Sequence, residues 1–302
     1  MREVIKVRKL YKTVGKRDII SNLNFTVKEK EIYGFIGKNG SGKTTTIKLI
    51  TGLWEKTSGS IKINGKSNLV KERKKIGTLI EEPVFYKNMT GYQNLVAQKK
   101  IMGIKKNSDE ILKLLELVDL KEVSKKKVKQ YSLGMKQRLG IAIALLGDPK
   151  ILILDEPING LDPIGVRFIR DLILKLNREF GITFFISSHI LSELEKCATR
   201  YCIIEKGRVI KEISSQELQK KLDKTFNIKV SSEEKEKTEE ILKEYQYEFI
   251  EKNSEFVLYN IDNGKKIILK LLMEGIVPEC YTFSQKKLED YFFELIGDVV
   301  NE

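Results

Sequence analysis

The segment GKNGSGKTT, Gly37 to Thr45, limits the possible folds of this 302-residue chain more than any other. It follows an apolar run ending Tyr33-Gly34-Phe35-Ile36 and precedes a helix-forming run, TTIKLITGL. A GxxxxGK[ST] pattern between strand and helix turns successive backbone N–H groups toward one point, where the helix dipole adds positive potential. Gly37, Lys38, Asn39, Gly40, Ser41 and Gly42 are therefore expected to cradle a polyphosphate, with Thr45 beside them. Lys43 is expected to reach the β- and γ-phosphates, and the Thr44 hydroxyl to ligate Mg²⁺. The loop binds a nucleotide. It does not by itself separate an ATPase from a GTPase or a small-molecule kinase, but no guanine-reading NKxD sequence is present.

The surrounding pattern supplies the sheet that such a loop needs. Short β-branched runs alternate with helical patterns through residues 1–212, which predicts an α/β domain with several parallel strands. VIKVRKL (4–10), FTVKEKEIYGFIG (25–37) and SIKING (60–65) read as strands, and RYCIIEKGRVIKEIS (200–214) as a hairpin turning at Lys206-Gly207. ILILDEP (151–157) and ITFFISS (182–188) are continuous apolar strands, as expected at the buried centre of a parallel sheet. Residues 91–147 turn mostly helical and form an inserted helical subdomain. The first apolar strand ends in two carboxylates. Asp155 is placed to hold Mg²⁺ and Glu156 to polarise the attacking water, because in-line hydrolysis needs a metal bridging the β- and γ-oxygens and an oriented water.

Composition removes several other classes. No apolar run approaches the roughly 18 residues of a membrane helix, and the N-terminal MREVIKVRKL lacks the apolar core of a secretory signal. The chain is expected to remain in the cytoplasm. Cys197, Cys202 and Cys280 form no CxxC pair, and the single histidine, His189, excludes a histidine-rich zinc site. Residues 1–212 carry 42 lysines and arginines against 23 acids, a net of +19, whereas residues 213–302 carry 13 against 19, a net of −6. The densest basic run, KEVSKKKVKQ (121–130), has no interleaved aromatics and reads as a solvated face, so no nucleic-acid partner is expected.

A third motif points to a family. YSLGMKQRLGIAIAL (131–145), upstream of the DE strand, resembles the LSGGQ signature of ABC ATPases, with Ser132 and Gly134 matching and Tyr131, Leu133 and Met135 departing. Ser132 stands where it can cap a helix and present its N-terminus to an anion. The resemblance implies that this anion is the γ-phosphate held by the opposite subunit. NGLDP (159–163) resembles the D-loop, with Asp162 reaching across the dimer, and His189 in ISSHI (186–190) resembles the switch histidine that contacts the γ-phosphate. IGTLIEEPVFYKNMTGYQNL (76–95) resembles the Q-loop region, which ligates Mg²⁺ and couples to the membrane subunit, with Glu81 in place of glutamine. That glutamate, together with SLGMKQRLGIA, resembles ATP-binding subunits of the bacitracin-resistance and lantibiotic-immunity type. In the stretch KTVG (12–15), Val14 occupies the position where the family stacks an aromatic on adenine, and Tyr11 is the candidate substitute.

The implied architecture is a P-loop NTPase core of the ABC ATPase kind over residues 1–212, with the helical subdomain inserted at about 91–147 and a small α+β accessory domain over 213–302. The accessory domain is read from FNIKV, EEKEKTEEILKEYQ, YEFIEK/EFVLYNI, KKIILKLLMEG and KKLEDYFFELIG, and only LEDYFFELIG (288–297) is loosely similar to the tail of drug-exporter subunits. The implied activity is ATP hydrolysis with Mg²⁺. Two ATPs are clasped in a homodimer, or in a pair with a related ATPase subunit, and separate membrane permeases carry the substrate at the inner face of the cell membrane. Export of, or immunity to, a peptide antibiotic is the expected role. The competing classes are an uptake subunit, a soluble ABC ATPase acting on a nucleoprotein, and a non-catalytic binding module. The last is weakened because every hydrolytic group is present.

Overall fold

The computed structural model describes residues 2–222, 224–253, 255–259, 261, 264–285 and 288–300. The chain divides into two compact units, Met1–Ser215 and Gln216–Glu302.

The first unit opens with an antiparallel hairpin, β1 (Glu3–Val14) and β2 (Arg17–Lys28), followed by the fully buried β3 (Ile32–Ile36). The sequence reads 25–37 as one strand. The structure breaks it at Lys30, whose φ is +63°, and Lys28 N–H donates to Glu31 Oε2 at 2.7 Å across the turn. The charged KEKE stretch is where the chain leaves one sheet for another. After β3 come α1 (Lys43–Thr51), β4 (Ser58–Ile63), α2 (Leu69–Arg73) and β5 (Ile76–Leu79). The helical insert is α3 (Gly91–Ile101), α4 (Ser108–Leu117) and α5 (Leu133–Leu145). Capping boxes start two of these helices, Thr90 with Gln93 and Asn107 with Glu110, each satisfying backbone donors that the helix leaves open. The chain returns through β6 (Ile151–Asp155), α6 (Pro163–Phe180), β7 (Thr183–Ser188), α7 (Leu191–Glu195), β8 (Arg200–Glu205) and β9 (Arg208–Ser214).

These strands form two sheets. β2-β1-β4 is antiparallel, and β5-β6-β7-β3-β8-β9 is parallel except for β9, which folds back on β8 as a hairpin edge. Four aromatic rings join the two sheets: Phe25 of β2 packs on Tyr33 and Phe35 of β3 and on Phe185 of β7, with centroids 5.6–5.8 Å apart. Each such pair contributes about 0.5–1.5 kcal/mol beyond the area it buries. Because β3 and β7 carry these rings, the cluster also fixes the strands whose carboxyl ends hold the phosphate loop and His189. β6, β7 and β3 lie side by side, so all three end at one edge, the usual ligand edge of an open α/β sheet.

The second unit contains α8 (Ser215–Lys221), which starts at the boundary, then β10 (Lys224–Lys229), α9 (Lys235–Glu244), β11 (Phe249–Lys252), β12 (Glu255–Tyr259), α10 (Gly264–Met273), β13 (Cys280–Gln285) and α11 (Leu288–Val300). Its antiparallel sheet, β11-β12-β10-β13, has a core of its own around Phe226, Ile228, Phe256, Leu258 and Leu271. The sequence reading lacks α8 and β13. CYTFSQ mixes polar and aromatic residues, and it becomes a strand through its pairing with β10.

Candidate active site

The phosphate loop leaves β3 and re-enters order as α1, with Gly42 at the N-cap position (φ +108°). Lys43 folds back over the loop and is only 6% exposed. Its Nζ donates to Gly37 O at 2.8 Å and to Lys38 O at 3.2 Å. A Cβ on Gly37 would lie 2.6 Å from Ile204 O, so glycine is required there by close packing. The loop is buttressed from outside by the β8–β9 turn. Lys206 and Gly207 both have positive φ, +47° and +75°, the pattern of a type I′ turn. Gly207 N–H donates to Ser41 O at 2.9 Å, and Gly207 O accepts from Ser21 N–H at 3.0 Å. The Ser41 hydroxyl is buried without a hydrogen-bond partner, an open valence in the cradle. A cleft of about 360 Å³ opens over the loop, lined by Asn39, Gly40, Gly42, Lys43, Thr44 and Thr45, by Glu156, and by Arg17 and Ile19 of β2.

Glu156 ties the loop to the other two strand ends. Its Oε1 is 3.1 Å from Lys43 Nζ, and its Oε2 is 2.8 Å from His189 Nδ1 and accepts from His189 N–H at 3.3 Å. Its backbone is left-handed (φ +48°), a conformation that costs a non-glycine residue of order 1 kcal/mol or more and that tertiary structure must enforce. Asp155 is buried beside it. In the β6–β7 register Asp155 faces Ser187, whose hydroxyl donates to Asp155 Oδ1 and accepts from Glu156 N–H at 2.9 Å. One hydroxyl thus orients both carboxylate residues. Sequence reasoning missed Ser187, because only the register between two strands distant in sequence brings it there.

Other expected site residues take different positions. Ser132 caps α5, its hydroxyl accepting from Met135 N–H at 3.2 Å. A Cβ on Gly134 would come no nearer than 3.8 Å to Leu161 Cδ2, so the start of α5 lies against the NGLDP turn. Asp162, expected to reach across a dimer, caps its own helix α6 within the chain: Oδ1 accepts from Gly165 N–H at 2.8 Å, and Pro163 follows at the first helical position. Glu81, expected to ligate a metal, is also left-handed (φ +56°) and pairs with Lys48 Nζ at 2.6 Å, its side chain 60% exposed. Lys48 lies one helical turn beyond Thr44, so Glu81 reaches the same side of α1 as the loop threonine. Lys48 also lies over the Trp54 ring, 5.2 Å from its centroid. Tyr11 pairs with Ser58 between β1 and β4, and Val14 is 51% exposed at the hairpin end. Neither is among the described residues that line the cleft.

Thr44 lines the cleft and Asp155 is buried next to Glu156, and both carry oxygen donors. Among the described residues no group of three or more His, Cys, Asp or Glu side chains could hold an ion by itself. Among them too, no helix is long and apolar enough to cross a membrane.

Comparisons with known proteins agree on one family. The family model described as ABC transporter matches residues 20–159. The bacitracin transport ATP-binding protein BcrA of Bacillus licheniformis is 43% identical over 305 residues, covering 98% of both chains. The lantibiotic transport ATP-binding protein SrtF of Streptococcus pyogenes is 44% identical over 234 residues, which take in 77% of this chain and 100% of the relative. Among solved structures, cbiO1 from Clostridium perfringens, part of the ABC transporter complex cbiONQ, matches with a TM-score of 0.65 at 28% identity over 72% of this chain and 91% of its own. A dimeric ATP-binding cassette in a post-hydrolysis state bound to ADP and Pi matches with a TM-score of 0.63 at 26% identity, over 70% of this chain and 98% of its own.

Proposed function

This chain belongs to the ATP-binding, ATP-hydrolysing subunits of ABC transporters, and from that membership we propose that it drives a permease that exports, or protects the cell against, a peptide antibiotic. The proposal of substrate class rests on relatives named for bacitracin and lantibiotic transport, one of them aligned over nearly the full length of both chains. The observation that carries the catalytic reading is the meeting of Lys43, Glu156 and His189 over the phosphate loop, with Asp155 buried beside them.

In this reading the loop amides, the unpartnered Ser41 hydroxyl and Lys43 hold the β- and γ-phosphates. The site fits Mg²⁺: Thr44 and Asp155 supply hard oxygen donors in the small number that Mg²⁺ takes when phosphates and waters complete its shell. When bound, the ion would neutralise charge on the phosphates. Glu156 orients the attacking water, and His189 holds Glu156 Oε2 from the far side. Glu81 joins the metal's surroundings only by exchanging its Lys48 partner, a step available to an exposed ion pair worth 0–1 kcal/mol. The capped start of α5, with Ser132 and Gly134, faces a second copy of the cassette, or a related subunit, and closes its nucleotide. The NGLDP turn lies next to that surface. The permease then places the complex at the inner face of the membrane.

Replacing Glu156 by Gln in the full chain is expected to lower the ATP turnover number at least a hundred-fold. It should also give an ATP-dependent dimer on size-exclusion chromatography with light scattering. Turnover close to the parent's, or a monomer at saturating ATP, contradicts the catalytic reading. The substrate class is tested separately, by asking whether the chain with its permease raises cellular resistance to bacitracin or a lantibiotic.

A further inference from the structure

The proposed site has a well-made place for phosphates and, among the described residues that line its cleft, no aromatic for the base. Val14, at the position where an aromatic is expected, has no ring, and Tyr11 does not line the cleft. Most of the cleft's lining belongs to the phosphate end: the loop, the start of α1 and Glu156. What remains is Arg17 and Ile19, both on β2. A nucleotide anchored by its phosphates therefore extends its ribose and base along the end of the β1–β2 hairpin.

Val14 and Arg17 are direct cross-strand partners and share a face of the ribbon, and Ile19, at the register shift that follows, lines the cleft together with Arg17. The hairpin is held against the loop from below. Gly207 bonds both Ser21 and Ser41, and a Cβ on Gly42 would lie 2.7 Å from Ile20 Cδ1. Arg17 is exposed, and among the described residues no acid pairs with it. Its neighbour Asp18 is occupied by the Thr13 hydroxyl at 2.7 Å. A planar, weakly hydrated guanidinium with no partner, lining the cleft beside the aliphatic Ile19, matches a purine: the plane stacks on the ring and the aliphatic packs its edge.

We infer that Arg17 is the base-binding residue of this cassette, stacking its guanidinium on adenine where the family uses an aromatic ring, with Ile19 completing the surface and Val14 beside Arg17 at the hairpin end. The inference rests on the nucleotide reading of the cleft. Stacking on a guanidinium is indifferent to the exocyclic groups of a purine, so adenine and guanine nucleotides are expected to bind within a few-fold of each other.

The test is calorimetric titration of the full chain with ADP and with pyrophosphate, neither of which is consumed. Arg17→Ala is expected to weaken ADP about ten-fold and pyrophosphate less than two-fold. Arg17→Lys should recover little, because the ammonium has no plane to stack. Adding Val14→Tyr to Arg17→Ala should restore ADP affinity, since a ring at the partner position replaces the stack. Equal loss of ADP and pyrophosphate overturns the inference, because Arg17 would then be holding phosphate. An unchanged ADP affinity overturns it as well. If the parent chain binds neither ligand, the nucleotide reading itself fails and takes this inference with it. The unliganded melting temperature of each variant checks that an exposed substitution has left the fold intact.

Discussion

Ser187 has one proton and two neighbours to orient. It gives the proton to Asp155 and receives the N–H of Glu156, so the two acidic residues are held at a fixed angle to each other. Ser187→Ala removes both contacts from a buried site, which typically costs about 1–3 kcal/mol of stability. In the proposed reaction it should also lower the ATP turnover number by about ten- to a hundred-fold, because the carboxylates lose their alignment. Ser187→Thr keeps the hydroxyl and should recover most of the loss. Turnover measured with the melting temperature of each variant separates the two effects. Unchanged turnover in the alanine variant would mean that Asp155 and Glu156 are aligned without it. At this scale the sequence was informative wherever the chemistry is local. The loop from Gly37 to Thr45 is contiguous, and Ser132 caps the helix that follows it. It was uninformative where a partner arrives from elsewhere. Lys48 takes Glu81 from 33 residues away, and Ser187 reaches Asp155 from 32 residues away.

Among the elements, the β8–β9 hairpin does more than close the sheet edge. The turn at Lys206-Gly207 is legible in the sequence, but its contacts are not. They depend on where β2 and the phosphate loop pass beneath it. Gly207 adopts φ +75°, and an added Cβ would overlap Ile19 O and the Ile20 backbone. Gly207→Ala should therefore destabilise the first unit by about 2–3 kcal/mol. It should also weaken ADP binding, since the Ser41 carbonyl loses its support. Denaturant unfolding and calorimetry report the two effects, and a stable variant with weakened binding would isolate the loop contribution. The same logic explains the misread strand at 25–37. The apolar runs on either side of KEKE read as one strand, yet Phe25 and Phe35 belong to different sheets and meet only as packed rings. Periodicity marks apolar residues, but does not assign them to a layer. β13 was missed for the opposite reason, since its strand character comes from its partner β10.

Across the whole molecule, the chain divides into two compact units, and a core described in each predicts two unfolding events. One core surrounds Phe25, Phe35 and Phe185, and the other surrounds Phe226, Phe256 and Leu271. SrtF aligns over its full length with 77% of this chain, so the cassette chemistry of the family does not require everything present here. Scanning calorimetry with ADP at a hundred times its dissociation constant should add about 2.7 kcal/mol to the first unit. That raises its transition by roughly 5–10 °C, and the second transition should stay in place. A single transition that moves as one would contradict independent units.

The Lys43–Glu156 contact has one further consequence. The Lys43 ammonium meets the Glu156 carboxylate at 3.1 Å as well as two carbonyls of its own loop. In the proposed reaction the phosphates and Glu156 therefore draw on a single positive group, and a change at either partner is felt by the other.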